Sequence, residues 1–313
     1  MEMNAIAAGL LPVGLAIALG ALARRFLIPD EADWAGLNKI TFYLLVPGLV
    51  ISTLANADIA AIPVREIAQA LVLAAALVAL VLGAVYAATP KTAEAKAGYS
   101  SLFQTATRWN AAVALGVTGE MYGAVALTVI ALSMLVLMPA VNVVNIALLT
   151  RLHSERRLRL GESLWKVLSN PIIVGCLLGL AVALPGVSVW PPLMNVVDAL
   201  ADASIAAILL IVGAGLRLSN WSAPRARRNI ALSCALKLVL MPLCTLLLAA
   251  ALGLRGVLLS SVVIVAAVPT AMHGYVLARE MGGDAPLYAS AASLQVLLSF
   301  VTLPCWIWLA ASV

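Results

Sequence analysis

The sequence predicts an all-α polytopic membrane protein of ten transmembrane helices, in two inverted five-helix repeats with helices 4 and 9 broken. Three observations carry this prediction: an apolar composition, apolar runs of spanning length from end to end, and an internal repeat. Of the 313 residues 64% are hydrophobic and only 11% are charged, with a mean hydropathy of +1.07. A soluble domain carries roughly 25% charged residues. This chain has too little charge to coat a water-facing surface, and a water-soluble fold is excluded.

A spanning helix needs roughly 20 mainly apolar residues. By that measure the first five segments run at 5–24, 37–55, 66–87, 99–118 and 124–149. The second five run at 170–185, 193–216, 229–252, 257–279 and 286–310. The chain then divides into a first five-helix repeat at 1–150, a cytoplasmic linker at 151–169 and a second five-helix repeat at 170–313.

Orientation follows from the basic residues. Fourteen Lys and Arg, from Arg24 to Arg279, fall in the loops after the odd-numbered segments, against only Arg65 and Arg255 on the opposite side. The positive-inside rule places both termini outside the cytoplasm. The net charge of +5 is therefore a topology signal, and no nucleic-acid partner is expected. Arg24 and Arg25 follow the first apolar run, the reverse of a cleavable signal peptide, so helix 1 is expected to remain. Cys176, Cys234, Cys244 and Cys305 all lie in apolar segments and read as small packing residues. No metal, cofactor or enzymatic nucleophile–base arrangement is expected.

The repeat uses residues that are rare in this composition. At an offset of 160, Glu120-Met121-Tyr122-Gly123 falls on Glu280-Met281-Gly282-Gly283. Ser100-Ser101 meets Ser260-Ser261, Ala111 meets Ala271, Leu127 meets Leu287 and Ser133 meets Ser293 in the same register. At an offset of 159, Pro12 and Gly20 fall on Pro171 and Gly179. Homologous halves with an odd number of helices must insert with opposite topology. Such inverted repeats build many secondary transporters, with the substrate site at the midplane where the halves meet.

Helices 4 and 9 occupy equivalent places and carry polar or helix-breaking residues at mid-depth. Helix 4 reads Phe103-Gln104-Thr105-Ala106-Thr107-Arg108-Trp109-Asn110, and helix 9 reads Ala267-Val268-Pro269-Thr270-Ala271-Met272-His273-Gly274. Pro269 lacks an N–H and its ring clashes with the preceding turn. A break there would present backbone N–H groups and a positive half-helix dipole to an anionic ligand. The alternative is a plain kink whose polar groups bond neighbouring helices.

Arg108 and Lys237 each lie about ten residues into their helices, roughly 15 Å deep at 1.5 Å per residue. Asp198 and Asp202 sit i, i+4 on helix 7. Charge at this depth is costly and marks function by default. Asp202 is either a proton-titrating carboxylate that couples transport or a structural partner of Lys237 or Arg108. His273 would titrate near neutrality in an aqueous cavity, or serve as a plain hydrogen-bonding residue. Gln295, Asn142 and Asn145 are explained by helix-to-helix hydrogen bonds as well as by ligand contact. Gly175-Cys176-Leu177-Leu178-Gly179 is a small-xxx-small pattern expected at a close helix crossing. Lys39 is placed within a turn of the inner end of helix 2, able to snorkel.

Leu37-Asn38-Lys39 with Phe42-Tyr43 and Leu45-Val46-Pro47-Gly48-Leu49 resembles the helix 2 signature of the auxin efflux carrier family. Asn170-Pro171-Ile172-Ile173, Gly213-Ala214-Gly215-Leu216, and Pro269-Thr270 with Tyr275-Val276-Leu277-Ala278 resemble that family in the same order. The short linker resembles its bacterial members, which implies a bacterial inner-membrane location. The resemblance implies a fold similar to bile acid:sodium symporters, with helices 4 and 9 crossed between a scaffold and a moving domain. It also implies transport of a small organic anion such as malonate, malate or an auxin-like acid. The resemblance implies that Asn110 and Pro269-Thr270 flank the substrate, while Arg108-Trp109 departs from the family pattern. The residues themselves add Arg108 and His273 as substrate-binding candidates and Asp198, Asp202 and Lys237 as coupling candidates. The expected partners are the anion, a proton or sodium ion and membrane lipid, with a homodimer left open. A sodium-coupled symporter and a membrane-embedded anion sensor are the alternatives.

Overall fold

The computed structural model describes residues 3–153, 169–185, 189–216, 224–272 and 274–313. Most of the predicted linker, and His273, lie outside the described residues. The described chain is helical throughout, with no strand among the described residues. Seven helices among the described residues are long and apolar enough to cross a membrane.

The chain opens with α1 (Met3–Phe26), which contains Pro12. α2 (Glu31–Ile40) buries none of its residues and is followed by a π-turn at Thr41–Leu45 and by α3 (Val46–Ala55). This helix starts six residues earlier than the predicted 37, so Lys39 lies more than two turns in, exposed on an unburied stretch. Acidic residues at Glu31 and Asp33 in the first turn favour that earlier start. α4 (Val64–Ala87), α5 (Ala93–Thr107) and α6 (Ala111–His153) complete the first half. α6 is bent at Gly123, whose φ of 68° needs a residue without a Cβ.

The second half begins with α7 (Pro171–Ala183), where the Asn170 side chain accepts the Ile172 N–H at 3.0 Å. Asn170-Pro171 is thus an N-cap followed by a proline where no helical N–H is required. α8 (Pro191–Ala214) and α9 (Pro224–Ala235) follow, then a π-turn at Leu236–Leu240 and α10 (Met241–Ala251). α11 (Gly256–Ala267), α12 (Gly274–Glu280) and α13 (Ala285–Ala311) close the chain. α7 and α11 are apolar but shorter than the seven long helices.

Both π-turns stand immediately before a Val-Pro or Met-Pro step, at Pro47 and Pro242. Val46 N–H donates to Thr41 O and Met241 N–H to Leu236 O, each five residues back. The wider turn gives the proline ring room that an i→i−4 ladder denies it.

Glycines set the closest helix contacts. A Cβ on Gly20 of α1 would fall on the Leu210 carbonyl of α8, and one on Gly213 of α8 on the Ile17 carbonyl of α1. On α7 a Cβ at Gly175 would stand 2.9 Å from Val50 Cγ2, and one at Gly179 would stand 2.8 Å from Leu54 Cβ of α3. The small-xxx-small pattern at 175–179 therefore marks a helix crossing, as its composition predicts. The principal apolar core, with Val50, Leu54, Ile130, Val262 and Ile307 wholly buried, joins α3, α6, α11 and α13.

Candidate functional site

Two helices are interrupted deep in the protein, and the interruptions touch. α5 stops at Thr107, and Arg108 turns to φ −69°, ψ 156° before α6 begins at Ala111. α11 stops at Ala267, and Val268 turns to φ −64°, ψ 151°. The two extended residues are 160 apart, the offset of the repeat.

Each break removes i→i−4 partners and leaves backbone groups that must be satisfied elsewhere. Pro269 has no N–H for the Val265 carbonyl, which is the local reason that α11 ends. Asn110 N–H, whose helical partner would be Ala106 O, donates instead to Pro269 O across the break at 2.9 Å. Asn110 Oδ1 accepts the Val113 N–H at 3.3 Å and so caps the new helix start. Thr270 N–H, whose helical partner would be Ala266 O, donates to Gln295 Oε1 at 2.8 Å. The deserted Ala266 carbonyl accepts from Lys237 Nζ at 2.8 Å.

Gln295 also donates from Nε2 to Thr105 O at 3.1 Å and to Ser233 Oγ at 2.8 Å. Ser233 Oγ donates in turn to Thr105 Oγ1 at 2.7 Å. Tyr288, wholly buried, donates to Ala271 O at 2.6 Å. Gly274 leaves room for that phenol, because a Cβ there would fall on the Tyr288 hydroxyl.

Arg108 is buried, with one guanidinium nitrogen donating to Asn142 Oδ1 at 2.9 Å and Nε without a partner among the described residues. Asn145 Nδ2 donates to Thr107 Oγ1 at 3.1 Å beside it. Gln104, one turn earlier, is buried with both amide atoms unpartnered among the described residues. Lys237 is 0% exposed and sits on the second π-turn. Both buried cations therefore stand where a half-helix ends in the protein interior, the negative end of its dipole.

The predicted carboxylates lie elsewhere. Asp198 accepts the Ser52 hydroxyl at 2.6 Å, and Asp202 is exposed. Neither pairs with Arg108 or Lys237 among the described residues; those cations bond to Asn142 and Ala266 instead. Asp202 lines a cavity of about 840 Å³ between α1, α3, α6 and α8, together with Asp58 and Glu120. Among the described residues no Lys or Arg lines it, and neither do Asn110, Pro269 and Thr270.

The fold thus brings Arg108, Asn110, Pro269, Thr270 and Lys237 to one place, while Asp202 lines the cavity and Asp198 bonds Ser52 of its wall. Helix-to-helix bonding was one of the two readings of Gln295, and the structure shows it; the bracing roles of Thr105, Ser233 and Tyr288 were not singled out from the sequence.

A comparison with family models places this bundle of membrane-length helices. The membrane transport protein family model matches residues 5–307. The chain belongs to that family, which is the family of the auxin efflux carriers. No curated protein matches the chain. As a member of the membrane transport protein family, the chain is a multi-pass transport protein. Its interrupted helices are the feature in which polar backbone at depth is buried in protein.

Proposed function

We propose that this protein is a secondary active carrier that moves a small organic carboxylate across the membrane by alternating access, coupled to protons. The observation that carries the reading is the Asn110 N–H to Pro269 O bond, which joins two helix breaks at equivalent positions of a repeat. In the proposed topology ten spans form two inverted five-helix halves, with both termini outside. Gly20 and Gly179, equivalent in the repeat, support it: the first seats α1 on α8 and the second seats α7 on α3.

Arg108 supplies the charge for the anion, since its Nε is desolvated and unpartnered among the described residues. Asn110 retains Nδ2 as a donor, and Ala111 and Ala112 offer first-turn N–H groups at the start of α6. The amides of Asn110 and Thr270 are already committed, so those two residues would bind through their side chains. Asp202 faces the cavity and is the coupling residue of this reading. The residues of the crossing do not line that cavity, and alternating access would have to bring the two into communication.

The test is a thermal-shift screen of the purified protein against malonate, malate and monocarboxylates, repeated on Arg108→Ala. Ligand binding to the folded state raises apparent stability by about 2.7 kcal/mol at a hundredfold excess over Kd. A shift with one acid that vanishes in Arg108→Ala supports the reading; a shift that survives the substitution removes it.

One observation favours a second reading, a sodium-coupled symporter. The cavity carries Asp58, Glu120 and Asp202 without a lining cation among the described residues, so their field attracts positive ions. Replacing sodium by choline at fixed pH stops a sodium-coupled carrier and leaves a proton-coupled one running.

A further inference from the structure

The two helix breaks each strand backbone groups, and one side chain collects a group from both. At the first break, Trp109 no longer serves as the i+4 donor to Thr105 O, and that carbonyl accepts from Gln295 Nε2 at 3.1 Å. At the second break, Thr270 N–H no longer reaches Ala266 O and donates to Gln295 Oε1 at 2.8 Å. A carboxamide suits this task because it offers a donor and an acceptor at once. Its second N–H is used as well, on Ser233 Oγ at 2.8 Å, and Ser233 ties back to Thr105 Oγ1. All four side chains are buried.

The repeat makes this arrangement more specific. Asn110 and Thr270 are equivalent at the offset of 160, yet they satisfy their amides differently. Asn110 N–H crosses directly to Pro269 O. The symmetric counterpart would be Thr270 N–H to Trp109 O, and Gln295 takes that N–H instead. The twofold relation between the breaks is thus broken by one residue of α13.

We propose that Gln295 is the positioning residue of the crossing: it fixes the spacing of the two interrupted helices by holding Thr105 O on one and Thr270 N–H on the other. It acts through Thr105 and Thr270 and does not itself contact the substrate. Ser233 orients its carboxamide so that the oxygen faces Thr270. The inference rests on the carrier reading for its purpose, but its geometry can be tested without any ligand.

The experiment is hydrogen–deuterium exchange on the full chain in detergent, following peptides that cover 268–272, with α1 and α8 as internal references. Gln295→Met keeps the length of the side chain and removes its hydrogen bonds. Exchange at 268–272 should then accelerate by roughly tenfold or more, the loss expected for a buried amide left without its acceptor. The references should not change.

Gln295→Glu makes a sharper demand. A carboxylate accepts from Thr270 but gives nothing to Thr105 O, whereas a protonated carboxyl does both. The carboxyl form therefore restores both bonds and the carboxylate only one, so protection is greater where the carboxyl is protonated. Protection of 268–272, corrected for intrinsic exchange, should approach the wild type at acid pH and fall towards Gln295→Met at alkaline pH.

Unchanged protection in Gln295→Met, or acceleration spread evenly over α1 and α8, overturns the proposal. So does a Gln295→Glu protein that tracks Gln295→Met at every pH. Should Gln295→Met fail to fold, Ser233→Ala removes one of the three bonds, and its exchange at 268–272 must rise above that of the references. A malonate or malate thermal shift that survives Arg108→Ala removes the substrate-site reading while leaving this brace standing, so the two failures are distinguishable.

Discussion

Lys237 Nζ donates to the carbonyl oxygen of Ala266 at 2.8 Å, taking the place of the Thr270 N–H that helix α11 loses where it breaks. A wholly buried ammonium thereby closes the negative end of a half-helix. Lys237→Met keeps the bulk and removes the charge. Replacing a buried charge by an apolar side chain of similar volume is often tolerated, so the variant should fold. Transport should fall by roughly tenfold, the equivalent of the ~1–2 kcal/mol that a favourably placed helix-end charge contributes. Flux of malonate or malate in proteoliposomes, beside the melting curve, checks both halves of this expectation.

Asn110 has two duties that substitution can separate. Its Oδ1 caps Val113, while Nδ2 makes no hydrogen bond among the described residues. Asn110→Ala should cost about 0.5–2 kcal/mol of stability through the lost cap. Asn110→Ser restores a capping oxygen and most of that stability, yet lacks the Nδ2 donor. Recovery of the melting temperature in Asn110→Ser without recovery of the carboxylate-induced shift identifies Nδ2 as a ligand contact. Recovery of both reduces Asn110 to a cap.

Gly213 faces the Ile17 carbonyl so closely that a methyl group cannot be placed without moving a helix. Gly213→Ala should destabilise by about 1–3 kcal/mol, the usual cost of overpacking. Gly83 in α4 has nothing within 4 Å of its would-be Cβ. Gly83→Ala should be neutral or stabilising, by up to about 1 kcal/mol from helix propensity. Thermal unfolding of the two variants in one detergent makes the comparison, and equal losses would rule out the close crossing of α1 and α8.

Asp202 is exposed to the cavity and pairs with neither buried cation among the described residues. Asp202→Asn should therefore leave stability within about 0.5 kcal/mol of the wild type, as for other surface substitutions. If Asp202 carries the coupled proton, flux driven by an imposed pH gradient collapses in the variant while downhill exchange of the carboxylate persists. Gradient-driven flux equal to the wild type would assign coupling elsewhere.

Much of the fold was legible because a bilayer admits few solutions. Apolar runs long enough to span must be helices, since no other open backbone satisfies its own N–H and C=O groups in hydrocarbon. The predicted segments fall on helical stretches, with 99–118 and 257–279 each interrupted, and seven helices among the described residues are of spanning length. The breaks at Asn110 and Pro269 were legible too, one from a proline and one from a polar run at the matching position. The π-turns before Pro47 and Pro242 were not, because a proline in an apolar run signals trouble for the ladder without saying how it is relieved. Nor was the start of α2 at Glu31, where a polar first turn carries no hydrophobic signal.

The sequence by itself determined the membrane class, the family signatures and the pair of interrupted helices. Each of these follows from local composition or from spacing along the chain. Tertiary structure alone decided which partners answer the stranded groups. Lys237 went to a carbonyl instead of to Asp202, Arg108 went to Asn142, and Gln295 bridged both breaks. The physical reason is that a broken helix fixes which backbone groups are left over, whereas the side chains that satisfy them come from residues up to 190 positions away.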